Sequence, residues 1–303
     1  MTVPTLAFEA IGTHWQIDTD LPVGAGLEAR VHDLIEDFDR TWSRFRSDSI
    51  VTRLAAGPTD WAPDADGARM LDFYDLLYRA TGGAVSPLVG RTLEHLGYDA
   101  SYSLRPRPGT VPVPAWAERI DWDGSTLAVA DDTLLDVGAA GKGLLVDLVG
   151  QALADGGVDS FLVDAGGDML HRGPTPVRVA LEHPADPTRA IGVVELRDAA
   201  ICASASNRRV WGGHDPAGPV HHVLDTGTAA PTGEVVATWA IAQSAMVADG
   251  LATALFFATG PALQAGLREA AAGTTPAPHF HYVRMTARGV VTHDAGLPGE
   301  VFR

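Results

Sequence analysis

The sequence predicts an α+β fold on two observations. Apolar residues recur at three- and four-residue spacing in several long stretches, and short β-branched runs lie between them. The two kinds of segment are interleaved without a regular βαβ period, which disfavours a doubly wound parallel sheet.

The elements follow in order. Residues 26–45 predict a helix, with Val31, Leu34, Ile35, Phe38 and Trp42 on one stripe; 67–81 predict a second, carrying Met70, Phe73, Leu76 and Leu77. Residues 99–119, broken by Pro106, Pro108, Pro112 and Pro114, read as a connecting loop. A helix over 139–156 follows, its stripe running through Leu144, Leu145, Leu148, Val149, Ala152 and Leu153, and Gly156-Gly157 ends it. Strands are predicted at 161–163, 177–181, 191–196, 200–203, 222–224 and 235–242. Helices over 245–258 and 261–271 and a hairpin over 280–292 close the chain. No composition shift follows the proline-rich segment, so one domain over 1–303 is expected.

Of the 303 residues, 46% are hydrophobic and 20% charged, an ordinary globular mixture. The formal net charge of −16 disfavours nucleic acid and anionic lipid as partners. A phosphate-rich ligand would therefore need local help from a metal, a lysine or backbone N–H groups. The single cysteine, Cys202, excludes an intrachain disulfide and a cysteine metal cluster, and its apolar setting disfavours a thiolate. No run approaches the ~18 apolar residues of a membrane span. The first residues carry neither a basic nor an apolar export region, so a cytoplasmic protein is expected.

Three segments could carry chemistry. Leu135 to Gly143 is a glycine-rich turn opening a helix, where backbone N–H groups and Lys142 favour an anion. It is not a Walker A loop, which needs Gly at 136 and Ser or Thr at 143, nor a G-x-G-x-x-G; plain turn chemistry remains the other reading. In the apolar helix at 245–258, Asp249 and Thr253 share one face. A carboxylate buried there is paired with an arginine, bonded to Thr253, or binds a metal; with phosphate oxygens the pair suits Mg²⁺. His221-His222 precede Asp225, an arrangement open to acid–base work or to a structural role. His214 adds a third imidazole without a recognised zinc spacing. Asp164-Ala165-Gly166-Gly167-Asp168 reads as a tight turn after a strand, and no G-x-S-x-G occurs.

In order along the chain, these pieces resemble the ApbE-like family of FAD:protein FMN transferases. Ile11-Gly12-Thr13 resembles its M-G-T. Ser43 to Leu54 resembles its S-x-[YF]-x-x-x-S-x-[LIV]-x-x-[LF], and Gly83 to Pro87 its G-x-F-D-P. Asp136 to Gly143 is similar to D-L-G-x-x-A-K-G and Gly157 to Gly167 to G-V-x-x-x-L-V-x-x-G-G. His222 to Pro231 is similar to H-I-[IL]-D-P-x-T-G-x-P, and Ala248 to Leu255 to A-D-x-L-A-T-A-L.

The resemblance implies a T-fold-like α+β domain with mixed or antiparallel sheets and packed helices. It implies Mg²⁺-dependent cleavage of FAD, with FMN passing to a Thr or Ser hydroxyl of an acceptor protein and AMP leaving. By position, Asp249, Thr253 and the main-chain oxygen of Ala139 hold Mg²⁺. Asp136, Lys142 and Leu224 contact FAD, while Ile11, Phe45, Ala84, Val85 and Ser86 line a ring pocket. His222 is the acid–base group, and Lys142 neutralises phosphate charge. The chain departs from the family pattern at Ile11, Ser86, Gly141, Thr226, Ala229 and at Ser204-Ala205-Ser206. Those departures leave two alternatives beside transfer, an FAD pyrophosphatase and a flavin-binding protein without transferase activity.

Overall fold

The computed structural model describes residues 3–212, 219–272 and 276–302. Its centre is an eight-stranded antiparallel sheet whose strands lie side by side in chain order. They are β1 (Thr5–Ala10), β2 (Thr13–Thr19), β3 (Phe161–Ala165), β4 (Met169–Arg172), β5 (Ala200–Ala205), β6 (Val235–Ala242), β7 (His281–Thr286) and β8 (Val291–His293). Both predicted classes of element are present, and the sheets pair antiparallel rather than mixed. The opening hairpin was not legible in the apolar pattern. It turns on two residues, Ile11 and Gly12, both in the left-handed region at φ 45° and 75°, and its register pairs Ala10 with Thr13.

The long helices are α1 (Ala25–Trp42), α2 (Ala65–Ala80), α3 (Gly141–Asp155), α4 (Ala245–Ala254) and α5 (Gly260–Ala270). They cover one face of the sheet. Helix α4 packs on β5 and β6 with α3 and α2 around it, which accounts for its almost wholly apolar surface. A three-stranded sheet of Val177–His183, Asp186–Leu196 and Gly299–Val301 covers the other face. Strand β5 shows the division by its period of two. Ala200 and Cys202 face the helices, whereas Ile201 packs with Leu196, Trp239 and Val283 toward the second sheet.

Several boundaries differ from the sequence pattern. The first helix stops at Trp42, because Ser43 is extended and the chain then turns into the cleft described below. The α4 helix stops at Ala254, and Phe256 and Phe257 continue in turns. The strand expected at 222–224 is split into Val220–His221 and Leu224–Asp225, which pair with different partners. The 99–119 loop ends in a short helix, Trp116–Arg119, whose Glu118 carboxylate accepts from Ala115 N at 3.1 Å.

Candidate active site

A cleft of about 740 Å³ opens where the start of α3, the face of α4 and the β1–β2 turn converge. The glycine-rich turn before α3 is fixed from both sides. Ala139 N donates to the Tyr74 hydroxyl at 3.1 Å, and Asp136 N donates to Pro87 O at 2.8 Å. The Asp136 carboxylate accepts from Gly138 N at 2.8 Å and from Arg44 Nε at 2.6 Å. Burial pushes the Asp136 carboxyl up, but the Arg44 charge and hydrogen bond outweigh it and hold the group below its usual range. The Arg44 guanidinium also donates to Tyr98 O at 2.7 Å and lies 4.2 Å from the centre of the Phe45 ring.

Helix α4 enters the cleft with its carboxylate already engaged. Asp249 Oδ2 accepts from Gly143 N at 3.0 Å, so its partner is neither an arginine nor Thr253, whose hydroxyl instead lies 3.4 Å from Ser204 Oγ. Burial holds the Asp249 carboxyl well above the carboxylate range, and the Asp168 charge adds to this; Lys142 and the Gly143 N–H oppose both. Lys142 Nζ donates to Ala165 O at 2.9 Å and pairs with Asp168 Oδ2 at 2.8 Å.

On the opposite wall, burial, with help from Arg209 and His221, pulls the His222 imidazole down to about 4. Its Nδ1 is buried with no hydrogen-bond partner among the described residues, whereas His221 spends its nitrogens on Thr232 O at 2.7 Å and Val223 N at 3.3 Å. His214 lies outside the described residues. Cys202 is buried, donates to Ala245 O, and burial raises its thiol well above the usual value.

Every site residue expected from the sequence lines this one cleft. Ile11 is at the β1–β2 turn, Phe45 beyond the end of α1, and Ala84, Val85 and Ser86 after α2. Asp136, Ala139 and Lys142 flank the glycine turn, His222 lies in the break of the split strand and Leu224 at the start of its second half, and Asp249 and Thr253 project from α4. The buried Ser86 hydroxyl is turned into the protein, where it accepts from Leu88 N at 3.2 Å and caps a short turn of helix. The turn at 225–229 is held by local hydrogen bonds. Asp225 Oδ1 accepts from Gly227 N and Thr228 N, and the Thr226 hydroxyl donates to Gly83 O at 3.0 Å, joining it to the 84–86 segment. Ala229, where the family pattern has Gly, sits at φ 55°. Sequence reasoning missed Arg44, Tyr74, Asp147 and Arg209. A polar group inside an apolar stripe was the available signal for Tyr74 and Asp147.

The family model of the ApbE family matches residues 11–274. The chain belongs to the ApbE family. Among its relatives, the FAD:protein FMN transferase of Klebsiella pneumoniae (strain 342) is 27% identical over 278 residues, 84% of this chain and 78% of its own length. That of Vibrio cholerae serotype O1 is 27% identical over 248 residues, 76% and 72% of the two chains. The solved flavin transferase ApbE from Vibrio cholerae superposes with a TM-score of 0.75 at 22% identity, covering 97% of each chain. The ApbE protein from Thermotoga maritima gives 0.77 at 20%, again over 97% of each. These superpositions establish the ApbE fold for this chain. Among the described residues no helix is long and apolar enough to cross a membrane.

Proposed function

We propose that this protein is an Mg²⁺-dependent FAD:protein FMN transferase, moving FMN from FAD to a Thr or Ser hydroxyl of an acceptor protein with release of AMP. The observation that carries this reading is the convergence of Lys142, Asp249, Thr253 and His222 on one cleft, in a chain whose relatives are named for that activity. The donor set fits a hard cation. Asp249 is a buried carboxylate with a backbone N–H as its hydrogen-bond partner, a costly arrangement that a cation relieves. Asp249, Thr253 and the Ala139 carbonyl would hold Mg²⁺, which when bound neutralises pyrophosphate charge.

The remaining work falls to the chain itself. The Lys142 ammonium, at the positive end of α3, faces the pyrophosphate. Asp136, locked by Arg44, and Leu224 contact FAD, and Ile11, Phe45 and Ala84 to Ser86 border its rings. His222, kept neutral, takes the proton from the acceptor hydroxyl as its oxygen bonds to the phosphorus of the FMN half. The bond from that phosphorus to the AMP phosphate breaks, and AMP leaves. Positioning and charge stabilisation suffice for such phosphoryl chemistry. The same reading sets the reaction in the cytoplasm, which cell fractionation tests.

The deciding experiment is FAD turnover to AMP by purified protein, with Mg²⁺ and with chelator, beside Asp249→Ala. Mg²⁺-dependent AMP release, abolished in the variant, is expected, and covalent FMN on an acceptor separates transfer from hydrolysis. Tight FAD binding without AMP release in the presence of an acceptor would leave a flavin-binding protein instead.

A further inference from the structure

The turn from Asp164 to Asp168 is assigned no role in the chemistry above, yet its Gly166 and Gly167 reach the cleft wall. Its shape is set by Gly166 and Gly167 at φ 63° and 100°, by Gly167 N donating to Asp164 Oδ1 at 2.8 Å, and by Ala165 N donating to Asp168 O at 2.9 Å. That reversal delivers two acceptors to a single nitrogen. Lys142 Nζ lies 2.9 Å from Ala165 O and 2.8 Å from Asp168 Oδ2.

Two features single out the contact. Asp168 is fully buried, and neither of its carboxylate oxygens has a hydrogen-bond partner among the described residues, which leaves the ion pair with Lys142 to compensate it. A buried carboxylate so poorly hydrogen-bonded needs a cation, and Lys142 is the one it meets. Lys142 is also the only lysine of the whole sequence; every other Lys-or-Arg position is arginine. An ammonium has three donors on a rotating tip, whereas a guanidinium is a planar fork. The ammonium donates to Ala165 O and is ion-paired with Asp168 while Lys142 also lines the cleft, so its tip keeps donor capacity for a ligand there.

We propose that Asp168 is the positioning residue for Lys142, holding its ammonium at a fixed point of the wall with one N–H turned to the substrate pyrophosphate. The proposal rests on the reading of Lys142 as a pyrophosphate contact. Asp168 itself touches no substrate; it acts through the lysine.

The single lysine makes the test direct, because ¹⁵N-lysine labelling gives one side-chain ammonium resonance. Without ligand, the parent should show that signal in slow exchange with water, and Asp168→Asn should broaden or shift it while near-UV circular dichroism stays native. In FAD turnover, Asp168→Asn should lower kcat about 10- to 100-fold with KM for FAD little changed. The same change should add nothing in a Lys142→Met background. An ammonium signal indifferent to Asp168→Asn, or a loss that adds in full to that of Lys142→Met, would overturn the proposal. If Asp168→Asn alone does not fold, thermal unfolding decides. Lys142→Met, which strands the carboxylate, should melt below Lys142→Met/Asp168→Asn, and the reverse order would also overturn it. Magnesium pyrophosphate should shift the parent signal. A signal that senses Asp168→Asn but ignores magnesium pyrophosphate keeps the pairing and overturns the substrate half, together with the reading beneath it.

Discussion

Gly143 donates its backbone N–H to Asp249 Oδ2 at 3.0 Å, joining the first turn of α3 to the middle of α4. The contact exists because position 143 has no side chain. A Cβ there would lie 2.2 Å from Ala245 O and 2.8 Å from Asp249 Cβ. One turn further along the same face of α3, the Asp147 carboxylate accepts from Ala245 N at 2.7 Å and from Met246 N at 2.9 Å. Helix α3 thus fixes α4 both at its N-terminus and at the carboxylate assigned to the metal.

Gly143→Ala should therefore act as an overpacking change against backbone that cannot yield as a side-chain tip does. A cost of about 1–3 kcal/mol in urea unfolding is expected, with loss of Mg²⁺-dependent AMP release. The variant moves no charge, so a parent-like midpoint with parent-like turnover would show that the close approach of the helices does not set Asp249.

A second expectation concerns pH. The fold favours neutral His222, pulled to about 4 by burial first and then by Arg209 and His221, with Asp136 opposing. Its folded value thus lies below the 6.5 of a free imidazole. Between those values the unfolded chain binds the extra proton, so this group's contribution is complete above 6.5 and is lost as pH falls toward 4. Burial lowers His171 and His221 as well, so the difference between the parent and His222→Asn is the quantity to read. The melting temperature of His222→Asn should fall less steeply than the parent's between pH 6.5 and 4. The parent's kcat/KM should show no inflection near 6.5. An inflection there that disappears in His222→Asn would mean that the imidazole titrates as a solvated one.

The fold and the site were legible in the sequence to different depths, for physical reasons. Helical stripes such as Val31, Ile35 and Trp42 announce themselves because one face is buried, and helix ends were off by a few residues where the chain turns into the cleft. Strands β1 and β2 escaped because their turn depends on left-handed φ at Ile11, a residue that ordinarily argues against such a turn. Apolar and glycine-rich motifs brought the cleft-lining positions into view, since close approach requires them. The partners that orient those positions did not show. Arg44 meets Asp136 across ninety-two positions of sequence and Gly143 meets Asp249 across one hundred and six, distances over which pattern carries no signal.

Ile11 offers the last prediction, because it combines strain with a place on the cleft wall. A β-branched residue at φ 45° is held against its steric preference, at a cost of about 1–2 kcal/mol, and such outliers concentrate where function over-determines the backbone. Asn is favoured at this position of a two-residue hairpin turn followed by Gly, so Ile11→Asn relieves the strain while removing an apolar contact from the cleft. The ligand-free variant is expected to melt above the parent, with a gain of up to about 1 kcal/mol after the lost packing is offset. Flavin affinity, read by fluorescence titration, should fall roughly tenfold, the scale of a lost apolar contact in a pocket. Opposite signs in the two measurements are the signature of a residue kept for the ligand. A variant that is less stable yet binds flavin as tightly as the parent would place Ile11 in the service of core packing alone.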